Sequence, residues 1–325
     1  MKTRLAAALA LLLLARPQAI EAQQVRSVPR IGLSVSASAP SSFAEAFRKG
    51  LRELGYVEGA SIALEVRYAE GRPERFPAIM AEFVRLNVRV IVAGGGLAAA
   101  RAARHATSTI PIVTPAVADP VKDGLVASIA RPGGNFTGLS MMNTEVSGKR
   151  VELLKAALPR LARVAIVREF IPNRTQAEVE EATTAVRALG LQSHVIEVRG
   201  ANGFDAAFME IHKLRSDALL MTASTLFNAH RRALVERVAV SRLPAIWENR
   251  EFAEAGGLMS YGPDILDMYR HAAFYVDKIL KGTRPGELPI EQPTKFDLVI
   301  NMETAKALGV TISPSLLRRA DRIIE

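Results

Sequence analysis

Three consecutive glycines separate a short apolar segment from an alanine-rich one. Gly94, Gly95 and Gly96 come directly after residues 90–93 and before Leu97. A strand, a glycine turn and a helix in this order leave backbone N–H groups free to bind an anion such as a carboxylate. The spacing matches neither a Walker loop nor a GxGxxG fingerprint, so a nucleotide is not indicated. We expect Gly95 and Gly96 either to contact a ligand or to form only a tight turn.

A lone carboxylate, Asp119, comes shortly after the next apolar segment, residues 110–114. Pro120 favours extended backbone at Asp119 and suits the first turn of a helix, so one interpretation is a helix N-cap. The other interpretation is a carboxylate that faces a ligand and pairs with its ammonium group. The two oxygens of Asp119 allow both roles at once.

Further polar and aromatic residues follow other apolar segments, in loops where a parallel sheet binds its ligands. Tyr261 would stack on a flat ligand and donate a hydrogen bond, or pack in the core with its hydroxyl at the rim. For the others, a structural or solvent-facing role is the alternative to ligand contact. The additional candidates are Ser36, Ser38, Ser41, Asn143, Phe170, Ser224, Thr225 and Glu248.

The chain offers little for catalysis or for a cofactor. It contains no cysteine, so it has neither a thiol nucleophile nor a disulfide. Its five histidines occur singly, without the spacing of metal ligands, and no GxSxG elbow is present. We therefore expect no metal, no cofactor and no enzymatic activity. The formal net charge of +9 is scattered among acidic residues, which argues against nucleic-acid binding.

Alternating strand and helix patterns must position these residues. They form two successive series, one before and one after residues 138–142. In the first series, Ser42 and Glu45 have the spacing of a capping box at the start of a helix. Such alternation is typical of parallel sheets, and two series predict two doubly wound lobes rather than one very wide sheet. Residues 256–261 and the helix pattern over 265–280 cannot be assigned to a lobe from pattern alone.

The first 22 residues have the pattern of a secretory signal peptide. Lys2 and Arg4 supply the positive start, residues 5–15 the apolar core, and Ala22 a small residue for cleavage. The core is shorter than the ~20 apolar residues that span a bilayer. Because no cysteine can carry a lipid, we expect a periplasmic protein, with a membrane anchor or a buried first helix as the alternative.

Long stretches of the chain after residue 22 also resemble a known family. They are ATSTIPIV, ADPV, GLVASIARPGGNFTG, LPAIWENREFAEAGGLMSYGPD, YVDKILKG and LPIEQPTKFDLVINMETAKALG. Their sequences resemble those of the substrate-binding proteins of bacterial ABC importers that are usually linked to amino acids. This resemblance implies an α/β type I periplasmic binding protein, with two doubly wound parallel-sheet lobes, a three-strand hinge and a ligand cleft. It assigns residues 28–140 and 257–286 to the N-terminal lobe, and 141–256 and 287–325 to the C-terminal lobe.

The chain departs from the family pattern in two loops. Relatives commonly carry a hydroxyl residue near the position of Gly96. They often have an Asn-Pro pair in the loop where this chain has Arg168, Glu169 and Phe170. We expect such loops to vary with the ligand.

The resemblance implies capture of a small organic ligand, an amino acid or analogue, by closure of the lobes. The ligand would then pass to ABC permease subunits at the inner membrane. In that case the helix N-terminus would receive the carboxylate and Asp119 the ammonium, and Tyr261 suggests an aromatic or branched side chain. Two alternatives stay open: a ligand-sensing subunit of a signalling receptor, and a periplasmic enzyme that uses the cleft.

Overall fold

The computed structural model describes residues 28–172 and 176–325, so the signal peptide predicted at residues 1–22 lies outside the described residues. The strands are β1 (Arg30–Val35), β2 (Ala63–Tyr68), β3 (Val90–Ala93), β4 (Ile112–Val117), β5 (Phe136–Ser140), β6 (Arg163–Glu169), β7 (Gln192–Val198), β8 (Ala218–Met221), β9 (Ala245–Trp247), β10 (Met259–Gly262), β11 (Asp297–Asn301) and β12 (Arg322–Ile324). The α-helices are α1 (Ser42–Glu53), α2 (Phe76–Arg85), α3 (Gly96–Ala106), α4 (Asn143–Ala157), α5 (Ala177–Ala188), α6 (Phe204–Lys213), α7 (Thr225–Ala229), α8 (Arg231–Ser241), α9 (Arg250–Glu254), α10 (Ile265–Leu280), α11 (Met302–Leu308) and α12 (Pro314–Leu317).

The first lobe is built on a parallel sheet with the strand order β2-β1-β3-β4-β5. Strand β3 shows why helices must cover both faces of this sheet. Val90 and Val92 pack into a core with α1 and α10, whereas Ile91 and Ala93 pack into a core with α2 and α3. Successive side chains of a strand point to opposite faces, so an all-apolar strand needs cover on both sides.

The second lobe is a sheet with the order β12-β11-β10-β9-β8-β6-β7. Its paired strands are parallel except β10 and β11, which are antiparallel. In β6, Val164 and Ile166 pack with α4 and α5, while Ala165 and Val167 pack with α6 and α8. Both lobes are therefore doubly wound, and the predicted fold class is confirmed.

Strand β10 lies in the second lobe, which corrects the assignment of residues 257–286 to the first. Met259 pairs with Ile246 of β9, and Tyr261 pairs with Leu298 of β11. A strand whose backbone groups are satisfied on both edges belongs to the sheet that supplies those partners. The chain crosses after β10, and α10 then packs on α1 and β4 of the first lobe.

The later crossing between the lobes also differs from the expected boundary at residue 287. Ile290 is buried in the core of the first lobe, and Glu291 forms a bridge with Leu139 at the end of that lobe's sheet. Residues 287–291 therefore still belong to the first lobe. Backbone pairing decides this boundary, and the apolar pattern of the segment does not reveal it.

The capping box predicted at the start of α1 is wrong. The N-cap residue lies one position earlier than predicted, and the predicted side-chain contact does not form. Ser41 is the N-cap residue, and no side-chain hydrogen bond caps the helix. Glu45 accepts instead from Arg48 Nη1 at 2.7 Å. The pairing of Glu45 with a nearby cation replaces the reciprocal bond that the spacing suggested.

Candidate functional site

A cavity lies between the two lobes, beside the carboxyl ends of the strands of both sheets. The empty space in and around it, open solvent included, is about 600 Å³. This is the place where parallel sheets bind ligands. Its lining residues are Ser36, Phe43, Gly95, Gly96, Leu97, Ala116, Ala118, Met141, Ile171, Ala223, Ser224, Thr225, Asn228, Glu248, Ile265 and Tyr269.

Apolar side chains form most of the cavity wall. Phe43 of α1 stacks on Tyr269 of α10, with ring centroids 4.9 Å apart. Met141 and Ile265 extend this wall in the first lobe, and Ile171 faces it from the second. Among the described lining residues there is no lysine, arginine or histidine. The wall therefore favours a ligand with an apolar body over a polyanion.

The N-terminus of α3 opens on the cavity. Gly95 and Gly96 turn the chain from β3 into the helix with φ angles of +131° and +62°, which only glycine adopts at little cost. No side chain caps this helix, and the Gly95 N–H donates to the Tyr269 hydroxyl. The remaining N–H groups of the first turn and the positive end of the helix dipole suit a carboxylate.

Glu248 lines the cavity from the second lobe, directly after β9. Its side chain is buried, with 2% of the residue exposed. Oε1 accepts from Asn228 Nδ2 at 2.6 Å and from Asn249 Nδ2 at 3.4 Å, whereas Oε2 has no hydrogen-bond partner among the described residues. The Ser224 backbone N–H also acts on this carboxyl group. Burial and then the nearby Glu178 carboxylate raise the pKa of Glu248 to about 8, against the opposing effect of Arg150. Glu248 is therefore mostly protonated at neutral pH.

Arg150 of α4 is fully buried in the same region of the second lobe. Its Nε donates to the Tyr261 carbonyl at 2.8 Å, Nη1 to Glu178 Oε1 at 3.2 Å, and Nη2 to Asn143 Oδ1 at 2.8 Å. Burial lowers the pKa of the guanidinium, and the charges of Glu178 and Glu248 oppose that change. This network joins α4 to α5 and β10, and its charges act on Glu248 at the end of β9.

The two lobes touch each other along the cleft. Arg101 of α3 donates from Nη1 to the carbonyl of Pro172 in the second lobe at 3.0 Å. A β-carbon placed on Gly96 would lie only 2.9 Å from Thr225 Cγ2. A β-carbon on Gly71 would lie 3.0 Å from His230 Nε2. The two lobes are therefore in contact across the cleft.

Half of the predicted site residues line this cavity, and they come from both lobes. They are Ser36, Gly95, Gly96, Ser224, Thr225 and Glu248. The Ser224 hydroxyl is already engaged, because it caps α7 by accepting from the Phe227 N–H at 3.0 Å and donates to Glu169 Oε2 at 2.7 Å. Ser224 thus holds Glu169 and the start of α7 in place at the edge of the cavity.

Asp119 does not line the cavity. Oδ1 accepts from the Lys122 N–H at 3.0 Å, and Oδ2 accepts from Thr144 Oγ1 at 3.4 Å. The Lys122 ammonium lies 3.6 Å from Oδ2. Asp119 therefore caps a turn rather than the helix N-terminus that the sequence suggested, because no helix lies among the described residues between β4 and β5, and it ties this loop of the first lobe to the start of α4.

The other predicted residues also lie away from the cavity lining. Asn143 binds Arg150, and the Phe170 ring lies 3.5 Å beneath the Arg199 guanidinium. Tyr261 stacks on Phe296, with centroids 5.9 Å apart. In the loop after β1, the structure buries Ser41 and exposes Ser38.

Ten lining residues were not among the predicted site residues, and Phe43, Tyr269 and Asn228 are the three that bear most on the ligand. Phe43 has the spacing of a core residue on α1, and Tyr269 lies within α10, whose lobe the pattern left open. Asn228 comes three residues after Thr225 on a short helix, so a one-turn spacing is the signal that would have found it.

Two classes of feature are missing from residues 28–172 and 176–325. No group of three or more histidine, aspartate and glutamate side chains there could hold a metal ion. No helix in those ranges is long and apolar enough to cross a membrane.

Comparison with known families assigns this arrangement to a class of protein. A family model described as ABC transporter substrate binding protein matches residues 30–324. The chain belongs to this family. With its two parallel-sheet lobes and its structural neighbours, this substrate-binding protein has the type I periplasmic binding protein fold.

Individual relatives of this substrate-binding protein are moderately similar over most of its length. A tyrosine-binding protein of Clostridioides difficile is 25% identical over 285 residues, which cover 86% of this chain and 81% of the relative. An ABC domain from Streptococcus pneumoniae in complex with L-Trp is 25% identical, with a TM-score of 0.84, and the match covers 92% of this chain and 100% of that one. A conserved domain protein from Vibrio cholerae is 28% identical, with a TM-score of 0.82 over 91% and 99% of the two chains.

Proposed function

We propose that this substrate-binding protein captures an amino acid or a close analogue in its interlobe cavity and delivers it to the permease of an ABC importer. The main observation that supports this proposal is that the cavity has one polar end on each lobe. The N-terminus of α3 in the first lobe suits a carboxylate, and the buried Glu248 lies in the second. A ligand that binds both ends favours the closed form, and that form is what a permease would recognise.

The ligand side chain is proposed to be apolar, and aromatic in the first instance. Phe43 and Tyr269 present stacked rings to the cavity, and the described lining includes no basic side chain. An aromatic ring gains free energy from stacking on another ring, beyond the burial of its apolar surface. The relatives described as tyrosine-binding and as a complex with L-Trp support the same choice.

The protein is further proposed to be exported to the periplasm and to bind its ligand without transforming it. The signal pattern in residues 1–22 and the family support export. Cell fractionation with a periplasmic marker tests the location. After a long incubation, we expect the ligand to be recovered from the protein at unchanged mass. This result would argue against catalysis.

Amino acids with aromatic side chains are expected to raise the melting temperature of the protein. At a free ligand concentration about 100 times Kd, binding adds about 2.7 kcal/mol to the free energy of unfolding, or several degrees in Tm. The measurement is a thermal-shift series on protein unfolded and refolded to remove resident ligand. L-tryptophan, L-tyrosine, L-phenylalanine and L-leucine are compared with aspartate, lysine, glucose and putrescine.

The polar compounds are the matched controls for this series. A shift with aspartate, glucose or putrescine, and none with the apolar amino acids, would contradict the proposed ligand class. Transport is tested separately, by uptake of the labelled ligand in cells with and without the gene. Uptake that does not depend on the gene would leave ligand binding intact but contradict the importer role.

A further inference from the structure

The buried carboxyl of Glu248 is the starting point. Among the described residues that line the cavity it is the only carboxylic side chain, and no basic side chain lies beside it there. Its Oε1 accepts from two amide groups, on Asn228 and Asn249, while Oε2 has no hydrogen-bond partner among the described residues. An unpartnered oxygen that is almost fully buried costs free energy unless a donor reaches it. Because Glu248 lines the cavity, a ligand bound there can supply that donor.

The ionisable groups around Glu248 come from several elements. Arg150 on α4 and Glu178 on α5 act on it most strongly, with opposite signs. Glu169 at the end of β6 is held by Ser224, which also lines the cavity. Across the cleft, burial raises the pKa of Tyr269, so its hydroxyl stays neutral.

The basic side chain nearest to Glu248 in the chain, two residues further on, forms an ion pair elsewhere. Arg250 lies 2.8 Å from Asp264, so this cation neutralises a carboxylate at the crossing after β10. Burial raises the pKa of Glu251, the other nearby carboxyl on α9. The cavity end at Glu248 is therefore lined by a carboxyl group without a cation of its own within the cavity.

We propose that Glu248 receives the ammonium group of the ligand and gives up a proton as it does so, which couples ligand capture to proton release. This inference rests on the proposed function, because it concerns the same cavity. The Glu248 carboxylic acid becomes a carboxylate, its proton passes to solvent, and the ligand ammonium keeps all its protons. The new ion pair satisfies Oε2 and replaces the neutral carboxyl that burial favours in the empty cavity.

Coupling of this kind has a defined pH dependence. With the pKa of Glu248 at about 8 before binding, the affinity rises with pH below that value and levels off above it. Well below the pKa, each pH unit changes the affinity about tenfold, because one proton is exchanged per ligand. The affinity falls again where the ligand amine itself loses its proton. At about pH 7, binding releases close to one proton per ligand.

The test is isothermal titration of the apolar amino acid that stabilises the protein most, across about pH 6 to about 8.5. Each titration is repeated in buffers of different ionisation enthalpy, so that the number of released protons is measured directly. The deaminated analogue of the same ligand, such as indole-3-propionate for L-tryptophan, is titrated in parallel. We expect proton release with the amino acid and none with the analogue.

Glu248→Gln is the main variant, because glutamine keeps the Oε1 acceptor for Asn228 but cannot ionise. We expect it to bind the amino acid at least tenfold more weakly at about pH 8, without proton release, and to bind the deaminated analogue relatively better. Glu178→Gln removes the neighbouring like charge, so it should lower the midpoint of the pH dependence. Asp119→Asn is the matched control, since Asp119 is a carboxylate at a neighbouring loop that does not line the cavity.

Loss of folding is excluded by the melting temperature of Glu248→Gln without ligand. The pKa of Glu248 is higher in the folded protein than in the unfolded chain, so its contribution to stability falls as pH rises from about 4.5 to about 8. The variant should therefore melt at or above the wild-type temperature at about pH 8.

Three results would overturn the inference. They are a wild-type affinity independent of pH with no proton released, proton release that persists in Glu248→Gln, and proton release that disappears in Asp119→Asn instead. In each case the wild-type protein still binds an amino acid, so the proposed function survives. If no amino acid binds the wild-type protein at any pH, the proposed ligand class fails, and this inference fails with it.

Discussion

Replacing Arg150 by methionine is expected to lower the free energy of unfolding by about 3–5 kcal/mol. The side chain has no exposed surface, and its three nitrogens donate to Glu178, to Asn143 and to the Tyr261 carbonyl. Methionine fills much of the same space but leaves a buried carboxylate without its facing cation and two buried oxygens without their donor. Urea denaturation at neutral pH measures the loss.

The internal control for Arg150→Met is the double variant that also carries Glu178→Gln. The double variant removes the uncompensated charge, so it should recover part of the lost stability. Arg284→Met is the matched control for arginine removal, because Arg284 and its partner Glu287 are largely exposed. That change should alter stability by less than about 0.5 kcal/mol. An Arg150→Met protein as stable as the wild type would contradict the role of this network.

Gly96→Ala is expected to weaken ligand binding by about 10- to 100-fold, which corresponds to about 1.4–2.7 kcal/mol. Its β-carbon would lie 2.9 Å from Thr225 Cγ2 of the other lobe, so the two lobes could not approach to the closed distance. A ligand that must bind both lobes then loses part of its contacts. Isothermal titration against the wild-type protein measures the change in Kd.

Gly134→Ala is the control that distinguishes the effect of backbone strain from the effect of contact between the lobes. Gly134 has a φ of +59°, close to the +62° of Gly96, and no atom lies within 4 Å of a β-carbon placed there. Both variants should lose about 1 kcal/mol of stability, but only Gly96→Ala should lose affinity. Thr225→Ala removes the facing methyl group, so the double variant should bind nearly as well as Thr225→Ala alone. Equal affinity losses in Gly96→Ala and Gly134→Ala would contradict the closure argument.

Local sequence patterns predicted much of the fold. Apolar segments of strand length, each followed by an amphipathic helix, predicted two doubly wound lobes, and the structure confirms them. The glycine run after Val90–Ala93 predicted a turn into a helix, and α3 begins at Gly96. These features depend on residues close together in the chain, and such interactions are visible in the sequence.

The boundaries between the lobes depend on partners far away in the chain. Strand β10 is placed by Ile246 on one edge and by Leu298 on the other, and neither partner can be read from the segment itself. Ile290 likewise belongs to the first lobe because it packs against core residues that lie far from it in the chain.

The candidate site, like the fold, was determined partly by the sequence and partly by the tertiary structure. The sequence alone determined that candidate site residues follow the strands of two parallel sheets, among them Gly96, Asp119 and Glu248. Only the tertiary structure decided that the Asp119 oxygens are engaged by Lys122 and Thr144, whereas Glu248 lies at the cavity with one oxygen unpartnered among the described residues. The reason is physical: residue type sets which hydrogen bonds a side chain can make, and the packed neighbours decide which bonds are left for a ligand.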